Sequence, residues 1–254
     1  MITFAKNWVG AFADWRKVLS LAFLPRYLRE FAAFRSQAKR AGQWPVRVSD
    51  TFPCLSDRLP TTPFDPHYLY QGAWIARRLA DRKPSRHYDI GSSVLTMSVL
   101  SAHVDMVFVD YRPLIVHQPG LSSVAADITR LPFADNSLDS LSCLHVIEHI
   151  GLGRYGDPLD LDGAHKGIRE LQRVLKPGGR LYLSTPVGDE RVCFNAHRVF
   201  APATIVEWLP DLELAEFSYV SDKGLLHAGA TLKDAAELSY GCGLFEFVRK
   251  ATAS

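Results

Sequence analysis

Short apolar segments alternate with amphipathic ones between residues 86 and 184, and this alternation limits the fold more than any other feature. Five segments have the composition of buried strands: Arg86–Ile90, 104–109, 121–126, Leu138–Leu144 and 180–184. Strands that alternate with helices pair in parallel, because each helix crosses over the sheet. Two later segments, Leu212–Val220 and 244–248, predict an antiparallel pair that closes the sheet. The sequence therefore predicts an α/β fold with a Rossmann-like, seven-stranded, mostly parallel sheet flanked by helices.

The first 43 residues differ from the rest in charge. They carry eight Lys and Arg against two acidic residues, a net +6, whereas the remainder carries 21 basic and 25 acidic residues. Apolar side chains recur there at helical steps, first at Phe4, Trp8, Phe12, Trp15 and Leu19, then after Pro25 at Leu28 and Phe31. This pattern predicts two amphipathic helices. They either pack on the core or on another subunit, or lie as a basic anchor on an anionic membrane surface.

The remaining chain divides into a linker and a large domain. Residues 44–64 contain four prolines and little periodicity, which is typical of a linker. The large domain is expected to span residues 65–250 and to begin with a helix over 66–82, capped by Asp65 and packed through Leu69, Ala73, Ala76 and Ala80. No apolar run approaches the roughly 20 residues of a membrane span. We expect a cytoplasmic protein, with peripheral attachment at the inner face of the membrane as the alternative.

Composition narrows the function further. The nearly balanced charge of +2 excludes bulk electrostatic binding of nucleic acid. The four cysteines are far apart, with no C-x-x-C pair, so we expect reduced thiols and no zinc knuckle.

Polar residues follow the first three strands of the predicted sheet. Asp89 and Gly91-Ser92-Ser93 end the first strand, Asp110 ends the second 19 residues beyond Gly91, and Asp127 ends the third. In open parallel sheets ligands bind beyond the carboxyl ends of the strands. A carboxylate about 20 residues after a glycine turn is placed to accept hydrogen bonds from ribose hydroxyls. Asp127, with Ile128 beside it, suits an exocyclic amine and the face of an adenine. The set indicates a ligand that contains adenosine.

From about residue 66 to 250, the sequence resembles the class I S-adenosylmethionine-dependent methyltransferases. The segments that carry the resemblance are Y-D-I-G-S-S at 88–93, F-V-D at 108–110, A-D-I-T-R-L-P-F at 126–133, N-S-L-D at 136–139, L-H-V-I-E-H at 144–149 and R-V-L-K-P-G-G at 173–179. More narrowly, residues 150–158 and N-A-H-R at 195–198 look like a bacterial and nematode branch of unknown function, whose bacterial members often accompany polysaccharide biosynthesis.

The resemblance implies S-adenosylmethionine as cofactor and a set of residues that bind it. In this sequence they would be Asp89, Gly91, Ser92, Ser93, Asp110, Tyr111, Asp127, Ile128 and His145. One departure is visible in the glycine loop, where the family usually shows G-x-G-x-G and this chain has Gly91, Ser93 and Leu95. The same substitution argues against a nicotinamide enzyme, because close approach of a pyrophosphate needs the second glycine.

The segment after the fourth strand supplies the candidates for catalysis. Residues 145–149 match the H-x-x-E-H sequence pattern of one group of zinc proteases. Glycines follow at once and no sustained helix is expected, so we predict no metal. The predicted candidates for a general base are His149, Glu148 and His197, and those for holding a polar acceptor are Arg154, Tyr155, Asp157 and Arg198. The glycine-rich segment 150–163 is either part of that acceptor site or a lid.

Two functions follow for this chain. The leading one is methyl transfer from S-adenosylmethionine, at oxygen, to a small or glycan-linked acceptor. The alternative is a binding or scaffold protein that keeps the fold without turnover, which the eroded glycine loop favours. In both cases the expected partner is a small molecule or glycan, with membrane contact or self-association through residues 1–43.

Overall fold

The computed structural model describes residues 15–112 and 114–251, with side chains from residue 18 onward. The chain divides into two compact units, Met1–Phe64 and Asp65–Ser254. Phe4, Trp8 and Phe12 of the first predicted apolar stripe lie outside the described residues. Among the helices described, each is too short or too polar to cross a bilayer.

The first unit is helical where it is described. Helix α1 spans Trp15–Ser20, a 3₁₀ turn spans Leu21–Phe23, and helix α2 spans Leu24–Ala41. Pro25 lies in the first turn of α2, where its missing N–H costs nothing, and the two described helices meet at the 3₁₀ turn just before it. Gly42 ends α2 with a left-handed backbone, φ 62°. No residue of α2 is buried. Residues 44–64 contain one 3₁₀ turn, Val48–Asp50.

The second unit is a helix-flanked sheet. Its helices are α3 at Pro66–Arg82, α4 at Val94–Leu100, α5 at Gly163–Val174 and α6 at Pro202–Glu207. Its strands are β1 at Arg86–Ile90, β2 at Asp105–Asp110, β3 at Leu121–Ala125, β4 at Leu138–Leu144, β5 at Leu175–Val187, β6 at Arg191–Cys193, β7 at His197–Val199, β8 at Leu212–Val220, β9 at Leu226–His227 and β10 at Gly241–Arg249.

The sheet order is β3-β2-β1-β4-β5-β10-β8-β9. Strands β1 to β5 pair in parallel, and β10 is antiparallel to both β5 and β8. The chain order reverses between β1 and β4, which is where a doubly wound sheet opens a crevice. The predicted fold class is confirmed. The sheet has eight strands and not seven because the two-residue strand β9 pairs with β8.

Two local expectations were wrong. Strand β5 begins at Leu175 rather than Arg180, and the Lys-Pro-Gly-Gly segment forms an irregular first part of the strand with a register shift against β4. The buried face of α3 is Gln71, Trp74, Ile75 and Leu79, whereas Leu69 and Ala80 are exposed. A polar residue occupies this core face because the Gln71 side chain accepts a hydrogen bond from the Ser184 hydroxyl at 2.6 Å. The apolar stripe is therefore displaced from the one that the sequence indicated.

Candidate functional site

A cleft lies beyond the carboxyl ends of β1, β2, β3 and β4 and contains about 700 Å³, including space open to solvent. We call it the cofactor cleft. It is lined by Ile90, Gly91, Val109, Asp110, Tyr111, Arg112, Ala126, Asp127, Ile128, His145, Val146, His149, Ile150, Tyr155 and Asp157.

Gly91 turns the chain at the mouth of this cleft. Its backbone has φ +64°, and its N–H donates to the Val109 carbonyl at 2.7 Å. A Cβ built on Gly91 would lie 3.3 Å from a methyl of Val146 and 3.4 Å from Oδ2 of Asp110. The left-handed backbone therefore favours glycine here, and a Cβ would also crowd the Val146 methyl, whereas Oδ2 of Asp110 lies at ordinary van der Waals distance.

A buried hydrogen-bond network fixes the end of β1 beneath the cleft. Oδ1 of Asp89 accepts from the Ser92 N–H at 3.0 Å, and Oδ2 accepts from the Ser92 hydroxyl at 2.6 Å and from the Ser142 hydroxyl. The ring of His87 lies between the hydroxyls of Ser140 and Ser142, at 2.7 and 2.8 Å. Burial raises the pKa of Asp89 to about 6 and lowers that of His87 to about 3.

Asp89, Ser92 and Ser93 therefore do not line the cleft, contrary to the residue set that the resemblance implied. Asp89 is fully buried and its oxygens are used within the protein. The Ser92 hydroxyl also accepts from the Leu144 N–H at 2.9 Å, which ties the loop to the end of β4. Ser93 is the N-cap of α4, with its hydroxyl accepting from the Thr96 N–H at 3.4 Å. These three residues shape the loop around Gly91.

Three carboxylates line the cleft, and two of them, Asp110 and Asp127, lie at the ends of β2 and β3. Asp110 accepts from the Arg112 N–H at 2.7 Å through Oδ1. Asp127 accepts from the N–H and the hydroxyl of Thr129, both at 2.8 Å and both through Oδ1. Among the described residues, Oδ2 of each of these two carboxylates keeps its lone pairs for a ligand. Each carboxylate is thus oriented through the hydrogen bonds of its Oδ1 and leaves its Oδ2 available to a ligand.

Aromatic and apolar groups form the walls of the cleft. The buried side chain of Ile128 lies next to Asp127. On the other side, the guanidinium of Arg112 lies 4.6 Å from the ring centre of Tyr155, and that of Arg154 lies 5.1 Å from it. Such cation–π contacts hold the Tyr155 ring in place.

A second cavity of about 930 Å³ adjoins the first and shares His145, His149 and Tyr155 with it. We call it the acceptor chamber. It is lined by Asp65, Pro66, His67, Tyr68, His145, Glu148, His149, Arg154, Tyr155, His197, Ser221, Asp222, Gly224 and Tyr240. Imidazoles, carboxylates and phenols dominate this lining, so the chamber suits a polar ligand with hydroxyl groups.

His149 faces both cavities as a neutral imidazole. Its Nδ1 lies 2.6 Å from the Ala196 carbonyl oxygen, so this nitrogen carries the proton and donates. Burial lowers the pKa of His149 below its ordinary value, against the opposing effect of Glu148. Nε2 therefore holds a lone pair at neutral pH, as a general base requires, and lies 3.8 Å from Oε1 of Glu148. His197 also lines the chamber, and burial lowers its pKa as well.

Glu148 acts on its neighbours and is poorly placed as a base itself. It is 1% exposed, and its Oε1 lies 2.8 Å from Nδ1 of His145 while Oε2 accepts from the Thr185 hydroxyl at 3.3 Å. Burial alone would raise the pKa of Glu148, but the facing His145 lowers it below its ordinary value. Burial would lower the pKa of His145, but the neighbouring Cys242 and then Glu148 raise it well above its ordinary value.

Arg198 and Asp157 hold the segment 150–163 in shape. Arg198 is buried and donates to the carbonyls of Ile150, Asp160 and Leu161, so it does not reach the chamber as the sequence suggested. Asp157 lies at the cleft, but its carboxylate accepts from the Gly151 N–H at 2.7 Å and from the Tyr155 N–H at 3.3 Å. Both side chains thus form hydrogen bonds with backbone groups of the segment that contains Tyr155.

The described residues of the cleft fit S-adenosylmethionine. Free carboxylate oxygens at the ends of β2 and β3 match ribose hydroxyls and an adenine amine, and Ile128 offers an apolar face. Gly91 leaves room beside Asp110 that any side chain would fill.

Comparisons with known proteins extend these observations. Residues 120–237 match the family described as Caenorhabditis protein of unknown function, DUF268. The chain is 33% identical over 118 residues to the demethylmenaquinone methyltransferase of Beutenbergia cavernae, covering 42% of this chain and 45% of that protein. It is 43% identical over 67 residues to that of Corynebacterium kroppenstedtii, covering 25% and 24%. The chain thus matches less than half the length of these curated relatives.

Two solved structures share the fold at low identity. A Galdieria sulphuraria protein described as a candidate sarcosine dimethylglycine methyltransferase gives a TM-score of 0.51 at 13% identity, over 73% of this chain and 86% of that one. The YcgJ protein of Bacillus subtilis gives 0.50 at 16% identity, over 72% and 99%. The chain has the class I methyltransferase fold. None of these matches supports the predicted association with polysaccharide biosynthesis.

Within the methyltransferase fold, the structure brings together most of the predicted site residues. Gly91, Asp110, Tyr111, Asp127, Ile128, His145, His149, Tyr155 and Asp157 line the cofactor cleft, and Glu148, Arg154 and His197 line the acceptor chamber. The sequence reasoning missed the chamber residues from the start of α3 and from the segment before β10, including His67 and Tyr240. The Asp65-Pro66 helix start was visible in the sequence, but nothing local placed it beside His145.

Proposed function

We propose that the protein is an S-adenosylmethionine-dependent methyltransferase that acts on an oxygen of a polar acceptor, either a small molecule or a glycan-linked group. The observation that carries this proposal is the pair of adjoining cavities. One offers oriented carboxylates at the ends of β2 and β3, and the other is polar and shares His145, His149 and Tyr155 with it. The stretch in common with curated methyltransferases supports the same activity.

When bound, S-adenosylmethionine would supply an electrophilic methyl group. Asp110 and Asp127 would hold its nucleoside, and Gly91 leaves space for it. The acceptor would lie in the chamber, and His149 would take the proton from its hydroxyl group. Alignment of the two bound molecules accounts for most of the acceleration, and a positioned base contributes about 10²–10⁴-fold.

Calorimetric titration with S-adenosylhomocysteine tests the cofactor part. We expect the wild type to bind and Asp110→Asn to bind less tightly by about 1.5–3 kcal/mol, roughly 10- to 150-fold, because a charged acceptor is lost. The matched control is Asp105→Asn, which changes an exposed carboxylate at the other end of β2, paired with Arg86. Absence of binding by the wild type, or equal affinities in all three proteins, would refute the proposal.

Transfer of labelled methyl from S-adenosylmethionine into cell extracts tests the acceptor part. Label is expected in the polar small-molecule or glycan fraction, and His149→Asn is expected to reduce the rate while leaving the cofactor affinity within a few-fold. Label confined to a lipid-extractable fraction would contradict the polar acceptor but not the transferase activity.

One observation favours a second candidate, a binding or scaffold protein without turnover. Ser93 uses its side chain to cap α4 at a position where the family usually has glycine, and Leu95 replaces another. A protein of that kind would bind S-adenosylhomocysteine with the same dependence on Asp110 and yet transfer no label to any fraction.

A further inference from the structure

Three side chains with metal-binding atoms meet beside the acceptor chamber. They are His67 from the first turn of α3, His145 from the end of β4 and Cys242 from β10. One ligand atom of each lies within 4.8 Å of the other two, and Nε2 of His145 lies 3.2 Å from Sγ of Cys242. Three elements distant in sequence thus deliver two imidazoles and a thiol to one point.

The separations suit a tetrahedral zinc ion. With zinc–nitrogen and zinc–sulfur bonds of about 2.0 and 2.3 Å, tetrahedral geometry places ligand atoms about 3.3–3.6 Å apart. The pair of His145 and Cys242 is already close to that spacing. The ligand atom of His67 lies within 4.8 Å of the other two, and its ring stacks on that of His145 with the ring centres 5.6 Å apart, so His67 would have to move closer to coordinate the same ion.

Glu148 holds His145 as zinc-binding histidines are commonly held. Its Oε1 lies 2.8 Å from Nδ1 of His145, so that nitrogen donates, and Nε2 faces Sγ of Cys242 at 3.2 Å, where a metal ion would take the place of the proton between them. A carboxylate that accepts a hydrogen bond from the ring nitrogen not bound to the metal fixes the ring orientation and increases the basicity of the nitrogen that binds the metal. His145 also has a left-handed backbone, φ 56°, which is uncommon for a residue with a side chain.

A thiol, an imidazole and a carboxylate in a row could also describe an activated nucleophile, but two observations disfavour this. Cys242 is fully buried and lines neither cavity, so its sulfur is not open to a substrate. A second imidazole, that of His67, also lies beside the sulfur, and a nucleophile with its base does not need one.

We propose that His67, His145 and Cys242 form a binding site for a divalent transition metal, Zn²⁺ above all, with a fourth coordination position open to the acceptor chamber. This revises the expectation that the chain binds no metal. Sites with three protein ligands and one open position are typical of catalytic zinc. An acceptor hydroxyl at that position would lose its proton more readily. That last step rests on the proposed function, whereas metal binding itself does not.

Titration with Zn²⁺ against a chromophoric chelator tests the site in the full chain. We expect one Zn²⁺ per chain, and we expect Cys242→Ser and His67→Gln to weaken binding by at least about 100-fold. The matched controls are Cys143→Ser, another fully buried thiol, and His197→Gln, another chamber imidazole outside the cluster. Both are expected to bind as the wild type does. Equal affinity of the wild type and Cys242→Ser would overturn the proposal.

Cobalt spectroscopy of the unaltered protein makes the test independent of how the variants fold. Co²⁺ bound at this site is expected to show a thiolate-to-metal charge-transfer band and the visible absorption of tetrahedral coordination. Bound Co²⁺ without the thiolate band would overturn the proposal. So would rapid alkylation of Cys242 by iodoacetamide that added Zn²⁺ does not slow. The result is independent of S-adenosylhomocysteine binding, so the failure of either proposal is distinguishable from that of the other.

Discussion

The buried network of His87, Ser142 and Asp89 is expected to give two acid responses of opposite sign. In the folded protein the pKa of His87 is lowered by burial from 6.5 to about 3, so the stability that its neutral form provides is present above pH 6.5 and lost as pH falls toward 3. The pKa of Asp89 is raised by burial from 3.8 to about 6, so the stability that protonation provides is present below pH 3.8 and lost as pH rises through 6.

The magnitudes follow from linkage between protonation and folding. Between pH 7 and pH 4 the lowered pKa of His87 removes about 3 kcal/mol from the free energy of unfolding, and the raised pKa of Asp89 returns about 2 kcal/mol. Both groups are fully buried, so solvent screening requires no discount. The pair together thus costs the wild type about 1 kcal/mol over this range.

Replacing one member separates the two responses. Asp89→Asn keeps the shape of the network but cannot take up a proton, so its free energy of unfolding is expected to fall about 2 kcal/mol further than that of the wild type between pH 7 and pH 4. His87→Gln is expected to lose less stability than the wild type over the same range. Urea unfolding followed by circular dichroism at pH 7, 6, 5 and 4 measures these differences.

Other groups titrate in every variant, so the quantity to compare is the change in pH dependence rather than stability at one pH. Asp105→Asn, on an exposed side chain of the neighbouring strand, controls for the loss of a carboxylate. If Asp89→Asn had the same pH dependence as the wild type, or a shallower one, burial of an ionisable Asp89 would not be the controlling effect and the reasoning would fail.

Further outcomes follow from the Gly91 loop, the segment 150–163 and the first unit. Gly91→Ala is expected to lower the free energy of unfolding by about 1–2 kcal/mol, because a side chain disfavours φ +64°. It is also expected to weaken S-adenosylhomocysteine binding. Thermal melts measure the first effect and calorimetry the second, and unchanged affinity would contradict the proximity of Gly91 to Asp110. Arg198→Lys replaces a fork of donors by a single ammonium, so trypsin is expected to cut at Arg154 faster than in the wild type; equal rates would show that the segment 150–163 does not depend on the fork. Removing residues 1–43, which carry a net +6, is expected to abolish flotation with anionic vesicles, and equal flotation of both forms would exclude this segment as the membrane contact.

The sequence predicted the features that depend on local pattern. Strand ends at Asp110 and at residues 125–127 follow from apolar runs and polar turns, and parallel pairing brings them to one edge of the sheet. Two site carboxylates could therefore be identified from the sequence. The same pattern cannot distinguish a carboxylate that faces a ligand from one that faces inward. Asp89 precedes a glycine just as a ligand-binding residue would, and only the hydroxyls of Ser92 and Ser142 show that its oxygens are already used.

Contacts between elements distant in sequence could not be predicted in this way. The insertion of β10 between β5 and β8 brings Cys242 to His145 across 97 residues, and no local signal encodes that neighbour. The buried face of α3 was misjudged for a similar reason, because Gln71 enters the core only where Ser184 offers a partner. Polar residues that satisfy one another across the chain are invisible to a count of apolar periodicity.

The position of β10 also determines when the sheet can be completed during synthesis of the chain. Strand β5 has no neighbour on one side until residues 241–249 have left the ribosome and inserted next to it. A nascent chain that ends before residue 241 therefore leaves the edge of β5 unpaired, and such edges recruit chaperones or other strands. Ribosome-bound chains of this length lack Cys242 and should not bind Zn²⁺ at the proposed site, whereas the complete chain should.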